Sequence, residues 1–192
     1  MQNILPKEFY EKHDTLTLSK RLLGCTLVHE SPEGRTAGII VEAEGYLQGD
    51  PACHAYRKKS ARNAPMFESA GTCYVYLIYG MHYCVNISGN AKDIGEAVLI
   101  RALEPTEGID LMQKRRKTND LKNLCSGPAK LVQAMGITLD FNFLTLDSDE
   151  FHCLESTNND FSIITTTRIG ITQGADLPYR FYIEGNRFVS RK

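Results

Sequence analysis

The sequence contains no tryptophan, no C-x-x-C motif and no long apolar run. Its six cysteines are scattered, and no signal-peptide pattern opens the chain, so we expect a cytoplasmic protein with reduced thiols. Cys53 and His54 are adjacent but lack a spaced second pair of ligands, which argues against a zinc site. No apolar segment approaches the roughly 20 residues that a membrane-spanning helix needs. We therefore expect no zinc site and no membrane association.

Net charge is also nearly absent, because 22 lysines and arginines stand against 23 aspartates and glutamates. A formal charge of -1 gives no global signal for a nucleic acid or a membrane, so any polyanion-binding face must be a local patch. A run of charges is usually just a solvated face. Three basic clusters are candidates: Arg57–Lys59 with Arg62, Lys114–Lys117, and the C-terminal Arg187, Arg191 and Lys192.

The length and composition are those of a globular domain. At 192 residues, with 42% hydrophobic and 23% charged residues, the chain can bury a sizeable core. We find no internal repeat, low-complexity segment or linker. Residues 1–192 are therefore expected to form a single domain, with residues 1–13 as a polar lead-in that contains a short turn of helix.

The most informative stretch is Ile39–His54. It begins as a run of β-branched residues, typical of a buried strand, which Glu42 and Glu44 interrupt. Side chains alternate along a strand, so Ile40, Glu42, Glu44 and Tyr46 are expected on one face. An apolar strand should carry two acids on one face only where water, a partner or a ligand meets them. From this stretch alone, structural ion pairs explain the acids at least as well as catalysis does.

A β-hairpin is predicted over Gly71–Ser88, where two β-rich runs flank a glycine-containing turn. Tyr79 and Met81 would lie at or near its tip, although hairpin tips are normally polar. Tyr74 and Tyr83 suit half-buried strand positions and are expected to be packing residues. Tyr79 is harder to explain in this way.

Three further basic residues lie at the ends of predicted strands or helices. Arg101 comes directly after an apolar strand, where it would face an acid or a phosphate, or simply lie on the surface. Lys130 lies in the first turn of a helix predicted over Gly127–Gly136, whose N-terminal amides could also take a phosphate. Arg168 belongs to the block Arg168–Ile171, which we expect at the end of a later strand.

Together these segments resemble the alkyladenine DNA glycosylase family, also called the mammalian-type 3-methyladenine DNA glycosylases. The matching blocks run in family order from about residue 20 to the C-terminus, and their number in one order carries the resemblance. They are Leu22–Gly24, Val41–Tyr46 with His54, Tyr74–Met81 through Asn86–Ser88, Leu99–Pro105, Leu124–Lys130, Arg168–Ile171 and Arg180–Tyr182.

The resemblance implies a mixed α+β fold: a single domain with a curved antiparallel sheet, surrounding helices and a protruding hairpin. It implies hydrolysis of the N-glycosidic bond of damaged purines in double-stranded DNA, leaving an abasic site, without a metal or an organic cofactor. The expected substrates are 3-methyladenine, 7-methylguanine, hypoxanthine and ethenoadenine. We also expect a cytoplasmic monomer, associated with the nucleoid if the source is bacterial.

The resemblance also assigns roles to residues. Glu44 would be the general base that activates water, and Arg101 would help to hold that water together with a backbone carbonyl of Arg168–Ile171. Tyr79 would enter the minor groove in place of the flipped nucleotide, with Met81 beside it. The walls of the base pocket would be Tyr46, His54, Tyr76 and Asn86, where Asn86 crowds the purine 2-position. Lys130 and Arg168 are the candidate phosphate contacts.

Two other classes of protein stay open. A non-catalytic nucleic-acid-binding module would explain the aromatic residues and basic clusters, but gives no reason for Glu44 on an apolar strand. A zinc base deaminase would also flip bases, yet its H-x-E and P-C-x-x-C signatures are missing here. The matching block has no lysine nucleophile, which favours a glycosylase that uses water over one that cuts the strand.

Overall fold

The computed structural model describes residues 3–191, so Met1 and Gln2 of the expected lead-in and Lys192 of the C-terminal cluster lie outside it. The strands are β1 (Thr26–Ser31), β2 (Gly34–Tyr46), β3 (Cys73–Ile78), β4 (His82–Ser88), β5 (Ala97–Glu107), β6 (Phe151–Leu154), β7 (Ile163–Thr166) and β8 (Arg180–Ile183). The helices are α1 (Lys7–Glu11), α2 (Thr15–Arg21), α3 (Ile109–Arg116), α4 (Leu121–Leu124) and α5 (Pro128–Met135), with 3-10 turns at Ala64–Phe67 and Leu139–Phe141.

The strands form one antiparallel sheet in the order β3-β4-β5-β2-β1-β6, and β8 pairs with both β2 and β7. β2 is the central strand, with β5 along one edge. Its other edge pairs first with β1, over residues 34–39, and then with β8, over residues 42–44. This change of partner bends the sheet around β2. The predicted fold class, an α+β fold on a curved antiparallel sheet, is confirmed.

The register of β2 against β5 shifts on both sides of Glu42. An extra residue in a strand reverses the alternation of faces beyond it. Accordingly, Ile40 and Ala43 both pack into the main core, whereas Val41 packs into a separate cluster with Phe188. The expectation that Ile40 shares a face with the two acids is therefore wrong, because the bulge intervenes.

β3 and β4 form the predicted hairpin, and Ile78 and His82 are its last pair before the turn. Tyr79 and Gly80 have positive φ angles of 54° and 70°. Tight hairpin turns use this conformation because it matches the twist of the flanking strands. The Tyr79 and Met81 side chains are 83% and 71% exposed, so neither packs into a core.

The segment expected as a polar lead-in belongs to the core. Leu5 and Tyr10 are buried in the main cluster, and the Leu5 amide donates to the Cys153 carbonyl at 2.8 Å. The predicted turn of helix is α1. The prediction of a polar lead-in is therefore wrong for residues 3–13, because the side chains of Leu5 and Tyr10 pack into the main core.

The helix boundaries follow the local signals. Asp14 caps α2 by accepting hydrogen bonds from the amides of Leu16 and Thr17. α5 begins at Pro128 and ends before Gly136, which has a φ of 71°. The expectation that Arg168–Ile171 ends a strand is wrong, since β7 ends at Thr166 and these residues lie in the following loop.

The six cysteines are buried and free. Burial raises the pKa of the Cys25 and Cys53 thiols to about 11. Among residues 3–191, no group of three or more His, Cys, Asp or Glu side chains is arranged to hold a metal ion. No helix in the described part of the chain is both long and apolar enough to cross a membrane.

Candidate active site

A cavity of about 330 Å³ opens between the β3–β4 hairpin, the loop after β2 and the first turn of α5. Its size is within the range of small-molecule pockets, ~300–1,000 Å³, and suits one flat heterocycle. The structure brings six of the predicted site residues to its walls or rim: Tyr46, His54, Tyr76, Tyr79, Asn86 and Arg101.

One wall of the cavity is an aromatic cluster. The rings of Tyr74 and Tyr76 are stacked with centroids 5.4 Å apart, and the His54 ring meets Tyr76 edge-on at 4.5 Å. The Tyr74 hydroxyl lies 2.9 Å from Nδ1 of His54. Each ring therefore limits the movement of the others. Tyr74 is buried, as expected for a packing residue, but it also lines the cavity, a role that the sequence reasoning missed.

The histidine in this wall favours its neutral form. Burial against the tyrosine rings lowers the pKa of His54, and the nearby Arg62 guanidinium lowers it further. The residue keeps exposed surface where it lines the cavity. Burial raises the pKa of Tyr74 to about 12, so its hydroxyl stays protonated at neutral pH.

Glu44 lies directly behind the cavity wall and is fully buried. Its Oε2 accepts a hydrogen bond from the Tyr46 hydroxyl at 2.8 Å. Its Oε1 accepts one from the Ile169 amide at 2.8 Å and is 3.3 Å from Nη1 of Arg101. All three of these neighbours line the cavity. The carboxylate is thus held behind the cavity wall by one charged and two neutral donors.

Glu42, the other acid of this strand, has a different environment. Its Oε1 accepts from Nε of Arg180 at 2.7 Å, from Nε of Arg101 at 3.2 Å and from the Ser190 hydroxyl at 2.9 Å. Its Oε2 accepts from the Ser190 amide at 2.7 Å. Neither acid lines the cavity itself, but Arg180 and Ser190, unlike the partners of Glu44, do not line it either. Glu42 is a structural acid that anchors the C-terminal segment and orients Arg101.

Arg101 is shared between the two acids. Burial alone would lower its pKa, but the carboxylates of Glu44 and Glu42 together raise it. The guanidinium therefore stays charged and directs one nitrogen to each acid. Arg101 emerges at the shift in register between β5 and β2, which lets its side chain reach both acids.

The structure does not support a phosphate contact for Arg168. Its side chain is 0% exposed and pairs with Asp50, whose side chain is 2% exposed. The guanidinium also donates to the carbonyls of Gly45 and Gly174, each at 3.1 Å, and lies over the Tyr46 ring. An arginine enclosed in this way cannot offer its charge to DNA, so that prediction is corrected.

Lys130 and Asn86 keep placements that fit their expected roles. Lys130 follows Pro128 and Ala129, which line the cavity, and its Nζ donates to the Asn123 side chain at 2.8 Å. Asn86 is buried in β4, lines the cavity and donates to the Tyr74 carbonyl at 3.1 Å. Both roles stay predictions.

Two contributions to the site carried little signal in the sequence. The first is the Ile169 amide: we expected a backbone carbonyl from this loop, and the hydrogen bond seen here is donated by an N–H to Glu44. The second is Asp50, which lies between Gly49 and Pro51 in the loop after β2. A sequence does not show which backbone amide will donate to a distant side chain. An acidic residue next to glycine and proline is too common to be singled out as part of a site.

Comparison with known proteins agrees with this geometry. The family model described as "Methylpurine-DNA glycosylase (MPG)" matches residues 8–187. A protein of Methanoculleus marisnigri named "Putative 3-methyladenine DNA glycosylase" is 53% identical, covering 98% of this chain and 99% of its own. Proteins with the same name are 50% identical in Francisella tularensis subsp. tularensis, covering 93% and 94%, and 47% identical in Carboxydothermus hydrogenoformans, covering 98% and 100%.

The site is an aromatic pocket backed by a buried carboxylate, and the comparisons make its class a hydrolase that acts on DNA. The chain belongs to the methylpurine-DNA glycosylase family. It is a DNA glycosylase that functions in DNA repair.

Proposed function

We propose that this glycosylase excises alkylated and deaminated purines from double-stranded DNA, using a water molecule that Glu44 activates. The observation that carries the proposal is the buried Glu44 carboxylate, whose three hydrogen-bonding or ion-pair partners all line the aromatic cavity. The name of the relatives points to 3-methyladenine. The same pocket chemistry extends the proposal to 7-methylguanine, hypoxanthine and ethenoadenine.

Base recognition rests on the aromatic wall. Electron-rich tyrosine rings stack on any purine, and they attract one made cationic by alkylation through cation–π interactions of roughly 0.5–2 kcal/mol. A neutral His54 adds no repulsion to such a cation, in keeping with its lowered pKa. An alkylated cationic purine is also a good leaving group, so recognition and reactivity favour the same bases.

The chemistry rests on Glu44 and Arg101. A carboxylate offers about four acceptor sites, and three are taken by protein donors, which leaves one acceptor site for a water. The water oxygen attacks C1′ of the sugar, its proton passes to Glu44, and the N-glycosidic bond breaks with its electrons going to the departing base. The carboxylate also stabilises the oxocarbenium-like charge on the sugar. The product DNA carries an abasic site.

Access requires the nucleotide to leave the duplex. Flipping a base costs a few kcal/mol in lost stacking and pairing. Minor-groove proteins hold such gaps open with an inserted side chain. We assign this role to Tyr79, which is exposed at a hairpin tip on the cavity rim, with Met81 beside it.

The phosphate contacts of a slightly acidic protein must come from local charge. The cluster Arg57–Lys59 with Arg62 adjoins the cavity, since the Arg62 guanidinium lies 5.6 Å from the Tyr76 ring centroid. No residue of the Lys114–Lys117 cluster lines the cavity, and its Arg115 and Arg116 side chains bond to Glu33 and Gln133. We therefore assign the DNA-facing charge to the first cluster, together with Lys130, and propose that one chain acts as a monomer.

The test uses a duplex with a single hypoxanthine opposite thymine. The wild-type protein should release free hypoxanthine and leave an alkali-labile abasic site, while Glu44→Gln binds the duplex but releases almost no base. In a matched duplex that carries adenine instead of hypoxanthine, conversion of the adenine to hypoxanthine without release would indicate a deaminase. Binding without either product would indicate a non-catalytic module. Either of these results contradicts the proposal.

A further inference from the structure

The two neutral donors to Glu44 come from different segments of the chain. Tyr46 ends β2, whereas Ile169 lies in the loop after β7. Their hydrogen bonds, both 2.8 Å long, converge on opposite oxygens of one carboxylate. Neither segment alone can set this geometry, because it depends on how the β2 end and the loop are held against each other.

Arg168 is the residue that joins these two segments. It directly precedes Ile169 in the chain, and its guanidinium carbon lies 4.6 Å from the centroid of the Tyr46 ring. Its Nη1 donates to the Gly45 carbonyl at 3.1 Å. It is therefore attached covalently to one donor and packed against the other.

Asp50 fixes Arg168 in turn. Its carboxylate accepts a hydrogen bond from Nη1 of Arg168 and another, 2.9 Å long, from the Ala52 amide. Arg168 also reaches the Gly174 carbonyl at 3.1 Å with Nη2. The pair thus ties together the loop that leads from β2 to His54 and the loop that carries Ile169.

We propose that the buried Asp50–Arg168 pair positions Glu44 for catalysis, by holding the Tyr46 hydroxyl and the Ile169 amide on its carboxylate. This inference rests on the proposed role of Glu44. The two residues of the pair do not contact the reacting atoms; they act through Tyr46 and Ile169. Both are positioning residues.

Stability alone does not account for such a pair. Replacing a buried ion pair by well-packed apolar groups is often neutral or stabilising, because removing two charges from water is costly. An arginine enclosed by an acid, two carbonyls and two tyrosine rings does have one specific effect, which is to define the spacing of the segments around it. That spacing is what the carboxylate of Glu44 depends on.

The test compares Asp50→Asn and Arg168→Lys with the wild type. Asp50→Asn keeps the shape of the side chain but removes its charge. Arg168→Lys keeps the positive charge but removes the planar guanidinium and its several N–H donors. Both should lower the single-turnover excision rate by ~10–100-fold, the scale of a small misplacement of a catalytic group. Affinity for a duplex carrying an uncleavable analogue of the lesion should change little. Asp50→Asn is the milder change and keeps the test decisive if Arg168→Lys does not fold.

A double-mutant cycle separates positioning from a general structural role. Tyr46→Phe removes only the hydroxyl that donates to Glu44. If Arg168 acts through Tyr46, adding Arg168→Lys to Tyr46→Phe should lower the rate by less than it does in the wild type. Full additivity of the two effects contradicts the proposal.

Arg115→Lys is the matched control. Arg115 is another largely buried arginine that joins two segments, through the Ala134 carbonyl and Glu33, and none of these residues lines the cavity. Its variant should lower the melting temperature without changing the excision rate. A wild-type protein that releases no damaged base contradicts the proposed function itself. An active wild type with an inactive Glu44→Gln, together with unchanged rates for Asp50→Asn and Arg168→Lys, contradicts only the positioning role.

Discussion

Glu44 accepts a hydrogen bond from the hydroxyl of Tyr46, two residues further along the same strand, at 2.8 Å. Burial, the charge of Glu44 and this hydrogen bond all raise the pKa of Tyr46, so the hydroxyl remains a donor throughout the physiological range. The ring of Tyr46 lines the base cavity. The Tyr46 side chain thus contacts both the cavity proposed to receive the base and the carboxylate proposed to activate the attacking water.

The first prediction separates the two acids of β2. Glu44→Gln cannot accept a proton from water, so single-turnover excision should fall by at least ~100-fold, the usual scale for losing a general base. Binding to lesion DNA should persist. Excision by Glu44→Gln near the wild-type rate would show that another group activates the water.

Glu42→Gln should instead affect mainly stability. It weakens an acceptor shared by Arg101, Arg180 and Ser190, and disrupting a buried ion pair costs roughly 3–5 kcal/mol. Thermal unfolding should show a lower melting temperature for Glu42→Gln than for Glu44→Gln, since Glu44 pairs with only one arginine. The reverse order contradicts the structural role of Glu42.

The third prediction concerns Tyr79. Because its side chain is exposed, Tyr79→Ser should leave the melting temperature nearly unchanged while it weakens base flipping. A fluorescent base analogue at the lesion position reports the flipping. Leu139→Ser, an exposed apolar residue that does not line the cavity, is the control for a simple loss of surface hydrophobicity. An unchanged fluorescence signal with Tyr79→Ser would contradict the proposal that Tyr79 enters the minor groove in place of the flipped nucleotide.

The fourth prediction concerns Asn86 and the rejection of normal guanine. Guanine differs from hypoxanthine only by its 2-amino group, and an asparagine against that position would exclude it by repulsion. Asn86→Ser opens space and should raise excision of guanine relative to hypoxanthine, measured as the ratio of single-turnover rates on matched duplexes opposite thymine. If that ratio stays the same in a folded, active variant, Asn86 only bonds the Tyr74 carbonyl.

The fifth prediction is a pH dependence. The lowered pKa of His54 means that its ring gains a proton only below the ordinary value of about 6.5. Protonation places a cation beside Arg62 and against any cationic base in the pocket. In the Glu44→Gln background, affinity for a 7-methylguanine duplex should therefore fall below about pH 6.5, and more than affinity for a hypoxanthine duplex. His54→Gln should remove the difference between the two profiles.

Local sequence signals predicted the elements that surround the site. The β-branched run of β2, the glycine turn of the hairpin and the helix predicted over Gly127–Gly136 each depend on neighbouring residues, and each is present. The errors arose where distant segments meet. Leu5 and Tyr10 looked like part of a polar segment because the core that receives them lies elsewhere in the chain.

The sequence by itself determined which chemical groups are available: two acids near the end of one strand, an aromatic hairpin tip, several tyrosines and a histidine. Only the tertiary structure decided which acid anchors the fold and which lies behind the cavity. The bulge in β2 reverses the alternation of faces, and the exchange of β1 for β8 brings Arg180 and Ser190 to Glu42. Glu44 is left to face the cavity wall, because the loop that carries Arg168 and Ile169 closes over it. Such pairings depend on contacts between residues more than one hundred positions apart, which no local pattern encodes.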